Sequence, residues 1–155
     1  MMVVMSALKA KLEADLSAAM KARDELRTRT LRMALTAVRN EEVAGKQARE
    51  LSDDEIIKVL TREVKKRREA AEAFAGAGRA EQARAERAES EVLAGYLPAQ
   101  LSDEELTALV AEVIAQTGAS GPKAMGQVMK AIGPKVAGRA EGSRVAAEVK
   151  RQLTA

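Results

Sequence analysis

The chain has 155 residues, enough for one ordinary domain or for a modest domain with a smaller appendage, and too few for a multidomain enzyme. Aromatic residues make up 1% against 46% hydrophobic overall, so the core must be built from Ala, Leu, Val, Ile and Met, the palette of packed helices rather than strands. The formal net charge is +3, and the absence of cysteine and histidine removes disulfides, thiolate nucleophiles, the commonest general base and the commonest metal ligand.

The opening MMVVM is apolar but falls short of a signal-peptide core and of a membrane span, so the expected compartment is the cytoplasm. Behind Ser6, Leu8, Leu12, Leu16 and Ala19 recur at helical spacing and predict a helix over about 6–22. Leu31, Leu35 and Val38 predict a second over about 26–44, closed by Gly45, with Arg27, Arg29, Arg32 and Arg39 on its polar face. Then come LSDDEI and, some way on, LSDEEL. In each, a serine (Ser52, Ser102) can accept from free backbone amides and a glutamate (Glu55, Glu105) can reach back, while Leu51 with Ile56 and Leu101 with Leu106 can close as staples. Nothing else matches at that offset, so the pair is repeated capping chemistry rather than a structural repeat. Ile56, Leu60, Val64, Ala71 and Phe74 carry one long helix to GAGR, and an alanine-rich helix follows over about 79–93. GYLP, Gly95 to Pro98, breaks the rhythm and sets the expected boundary between domains 1–97 and 98–155. Beyond it the pattern predicts helices from Ser102 to about Gln116, from Pro122 to about Ile132 with Gly133 as its stop, and from about Gly142 to Leu153. The expected fold is all-α, an N-terminal bundle of long helices followed by a small three-helix unit.

The charge is uneven. Residues 121–155 hold seven basic side chains and two acidic ones, 7 − 2 = +5, which leaves 19 − 21 = −2 for the rest. Within that tail Met125, Val128, Met129 and Ile132 form one apolar stripe. Gly126 beside it would let another helix or a ligand backbone come close, and Gly138 and Gly142 would bracket a turn. One reading makes the Gly–Lys–Arg turn an anion cradle, with Lys123, Lys130, Lys135, Arg139 and Arg144 facing phosphate. The other makes it a packed three-helix unit with glycine caps and a solvated basic face.

Other features read more plainly. KKRR, Lys65 to Arg68, spans all helix faces among glutamates and reads as solvated and salt-bridged. The acidic runs at Asp53 to Glu55 and Asp103 to Glu105 are explained by the helix macrodipole. Met20, Met33, Met125 and Met129 sit at apolar positions and read as core filler.

MGQVMKAIGPKVAGRAEGSRVAAEVKRQL, with LAGYLPAQLSDEEL and the helical region from LKAKLEADLSAAM onward, resembles the YqeY family, small bacterial proteins similar to the tail region of the GatB subunit of the tRNA-dependent amidotransferase. The resemblance spans nearly the whole chain. That family more often has aspartate where Glu141 stands; aspartate caps a helix and glutamate does so poorly, so Ser143 is expected to take over and the last helix to start later. The resemblance implies a non-catalytic module that holds tRNA or another structured RNA, or that joins translation or amidotransferase proteins. The label attached to it is carbon–nitrogen ligase with glutamine as amido-N-donor. No Walker-type phosphate loop and no serine–lysine amidase signature is present, so no catalytic residue, metal ligand or cofactor is assigned. Three readings stand: RNA binding through phosphate and shape, since Phe74 and Tyr96 are the only aromatics; participation in amide transfer; and a protein-interaction module. DNA and membranes are not expected partners.

Overall fold

The computed structural model describes residues 6–155, so the reading of the MMVVM opening lies outside the described residues. Seven α-helices and one 3-10 turn make up the ordered elements, with no strand among the described residues, as the all-α expectation requires. The chain divides into two compact units, one ending at Leu97 and the other beginning at Pro98. No helix among the described residues is long and apolar enough to cross a membrane.

The first unit holds α1 (Ala7–Ala22), α2 (Glu25–Glu42), α3 (Asp53–Gly76) and α4 (Ala80–Ala94). Ser6 and Asp24 cap α1 and α2 through their side chains, and Ser52 with Glu55 forms the full capping box that starts α3. Leu51 and Ile56, the two staple positions, are both buried in the cluster that includes Leu12, Leu31, Leu35, Val38, Leu60 and Leu93. Arg23 ends α1 in the left-handed region at φ 57°, with the Asp24 amide donating to the Ala19 carbonyl and the Arg23 amide to that of Met20. The expected glycine stop of α2 is absent: the helix ends at Glu42, and Gly45 has no left-handed φ. The Glu42 carbonyl instead accepts from the Arg49 amide at 3.0 Å, and its carboxylate takes the buried Lys9 ammonium at 2.8 Å. That bond, reinforced by Glu50 at 3.3 Å, holds Lys9 above the usual lysine range despite burial. Tyr96 of the GYLP break donates to Asp15 on α1 at 2.5 Å. Burial and the Asp15 carboxylate push its phenol up to about 12.

The second unit holds α5 (Asp103–Thr117), the 3-10 turn Pro122–Ala124, α6 (Met125–Val136) and α7 (Gly142–Thr154) around Leu106, Val110, Val113, Val128, Ile132, Val145 and Val149. Its start repeats the capping box, with Ser102 and Glu105. Two expectations fail here. Gly133 does not stop α6, which runs through Gly133 and Pro134 to Val136. Ile132 and Val136, one turn apart, are both buried in the same cluster, so packing carries the helix a further turn, and Pro134 stands on an exposed face. Nor does Ser143 take over the cap of α7: Glu141 holds the N-cap position without a side-chain cap bond, and the helix starts at Gly142.

Candidate nucleic-acid interface

The five cations of the tail separate into two groups. Arg139 and Arg144 are engaged inside the second unit. Arg139 Nε donates to the Ala99 carbonyl at 3.2 Å, and Arg144 Nη2 donates to the Leu101 carbonyl at 3.2 Å and to Asp103 at 2.9 Å. Alongside them the Leu101 amide donates to the Arg139 carbonyl at 2.8 Å and the Gln100 amide group to that of Gly138 at 2.7 Å. The Arg139 and Ala140 amides both turn inward to the Val136 carbonyl. The turn read as an anion cradle is thus tied to the chain's own segment at 99–103. Its one conformational demand falls on Gly138, at φ 72°.

Lys123, Lys130 and Lys135 are exposed and make no hydrogen bond or ion pair within the described residues. Lys123 stands in the 3-10 turn that leads into α6, and on the helix itself Lys135 lies about 140° round from the face of Lys130. Lys130 is flanked on that face by Gly126 and Gly133. A Cβ at either glycine, or at Gly142, would meet nothing within 4 Å. Gly126 therefore serves no close approach of another helix among the described residues, which leaves the approach of a ligand backbone as the other role expected of it. What it leaves is a stretch of α6 whose backbone lies bare beside a cation. The Lys130 carbonyl on that face also lacks its helical donor, because Pro134 has no N–H.

The model of the YqeY-like protein family matches residues 9–153. The chain belongs to that family. A comparison with curated proteins gives no match. In this YqeY-like chain no group of three or more acidic residues among those described could hold a metal ion. Its shifted carboxylates all have structural causes. Glu55 and Glu105 are held below the usual range by their capping-box amides, Asp15 by Tyr96, and Glu148, at about 2, by Arg151 and then Gln152.

Two further features depart from what the sequence pattern predicts. Met20 and Met33 are not core filler: they are 49% and 45% exposed, whereas Met125 and Met129 do pack against the second core. Arg67 of the KKRR run is salt-bridged but not solvated. It is only 3% exposed, bonded to Glu63 at 2.8 Å, and its Nε has no partner. A signal for it exists, since Arg67 continues the core phase of Leu60, Val64 and Ala71 with Glu63 one turn behind.

Proposed function

We propose that the second unit of this YqeY-like protein binds structured RNA, tRNA being the first candidate, through phosphates laid along the exposed face of α6, and that it does so without catalysing amide transfer. The observation that carries the reading is Lys130, unpaired among the described residues and set between Gly126 and Gly133, two positions where side chains are missing without any contact among those residues to require it. A phosphate backbone is a ridge that can seat against bare helix while a neighbouring ammonium neutralises it. Lys123, in the 3-10 turn just before α6, adds a second contact, and Lys135 a third to a strand that curves round the helix. Arg139 and Arg144 position the turn instead of touching RNA. The amide-transfer reading draws on the family label alone.

The test is tRNA affinity of the full chain across a salt series. Lys123→Ala with Lys130→Ala should flatten the log–log slope by about two units at unchanged thermal stability. Gly126→Leu should weaken binding with charge unchanged. Identical affinity and slope for wild type and both variants would refute the RNA reading.

A further inference from the structure

The first unit carries an open groove that the RNA reading does not use. A cleft of about 780 Å³ and a second of about 330 Å³ share Arg32 and Met33, so together they line the outer face of α2 from the end of α1 to α3. Two of the three large apolar side chains exposed in the described chain, Met20 and Met33, lie in it. Each thioether has a guanidinium against it: Arg32 on the Met20 sulfur at 3.8 Å and Arg67 on the Met33 sulfur at 3.7 Å. Arg23, Arg32 and Lys66 line the groove with no carboxylate partner among the described residues, against one acidic side chain in the same state, Glu25. Arg23 also holds a left-handed φ that glycine or asparagine would adopt at less cost, at the point where α1 meets the groove.

We propose that this groove docks an acidic amphipathic helix of a partner protein. Long unbranched thioethers make an adaptable apolar floor, and the cations beside them select a helix whose apolar anchors alternate with carboxylates. A nucleic acid would satisfy the cations but gains little from two thioethers. This surface is independent of the lysines on α6, and its test does not involve them.

The probe is a synthetic helical peptide of about four turns with leucine at i, i+3, i+4 and i+7 and glutamate elsewhere. It is titrated into full-length protein carrying 13C-methyl methionine, with assignments from Met20→Leu and Met33→Leu. The Met20 and Met33 methyl signals should shift saturably while those of Met125 and Met129 stay put. Arg32→Glu with Lys66→Glu should weaken binding on the order of tenfold without moving the thermal midpoint. Arg23→Gly should weaken binding yet raise the midpoint, because the left-handed cap is relieved. The proposal is overturned if the two methyls do not shift at millimolar peptide, if a lysine-for-glutamate peptide binds equally well, or if an RNA hairpin moves the same methyls at lower concentration.

Discussion

Arg67 offers the sharpest energetic test of the first unit. Its side chain is 4% exposed and that of Glu63, at 2.8 Å, is 18%, so the guanidinium is removed from water while the carboxylate keeps an edge to the cleft along α2. Removing one partner of such a pair leaves a charge without compensation and costs about 3–5 kcal/mol, whereas a pair at the surface is worth about 0–1. Arg67→Met keeps the apolar stem and removes only the guanidinium, so it should cost about 3 kcal/mol, most of it the stranded Glu63 carboxylate. Adding Glu63→Met should recover most of that loss and bring the double variant within about 1 kcal/mol of wild type, because no charge is then left stranded. In a unit of this size the single variant then melts about 12–24 °C lower. Urea and thermal unfolding of wild type, both single variants and the double close the cycle. If Arg67→Met unfolds within about 0.5 kcal/mol of wild type, the pair is effectively solvated and Glu63 is not stranded by the loss of its partner.

Three further outcomes are expected. Glu148 is held at about 2 against an ordinary 4.5, chiefly by Arg151 at 2.6 Å, so its contribution is intact above pH 4.5 and is lost as pH falls toward 2. Arg151→Gln should flatten the decline of thermal midpoint over that acid window and leave neutral pH nearly unchanged; parallel profiles would count against it. Gly126→Ala, in open space inside a helix, should stabilise by about 0.5–1 kcal/mol, while Gly138→Ala, at φ 72°, should destabilise by about 1–2; denaturant midpoints decide, and equal signs would contradict both assignments. A fragment beginning at Pro98 carries its own buried cluster and capping box, so its circular dichroism should be helical with a cooperative melt; a coil spectrum in the cold would show that it depends on the rest of the chain.

The elements that sequence alone made legible are those whose cause is local. Ser52 with Glu55 and Ser102 with Glu105 bond within one turn, so four letters are enough to place two helix starts. Where the cause is tertiary, local pattern misleads. Gly133 and Pro134 spell a stop, and only the burial of Val136 beside Ile132 overrides it. Periodicity put Met20 and Met33 near an apolar face without telling which edge of that face a neighbouring helix would cover. The surplus of +5 in residues 121–155 marked the candidate interface, but Arg139 and Arg144 find their oxygens about forty residues earlier in the chain, a distance across which no local pattern runs.

That division of the tail's cations follows the chemistry of the two side chains. In the second unit all three arginines, Arg139, Arg144 and Arg151, hold carbonyl or carboxylate oxygens of the unit itself. The four lysines, Lys123, Lys130, Lys135 and Lys150, hold none among the described residues. A guanidinium is a flat, weakly hydrated fork that loses little freedom when it fixes a backbone oxygen, so it suits joints such as the one between 99–103 and the α6–α7 turn. An ammonium is a compact, strongly hydrated point charge on a flexible stem, suited to following a phosphate whose position varies. Net charge therefore overstates the number of side chains open to a partner. For the proposed RNA contact the side chains to consider are the exposed lysines of α6 and of the turn before it, and exchanging Arg144 for lysine would preserve the charge while undoing the joint that holds the turn behind it.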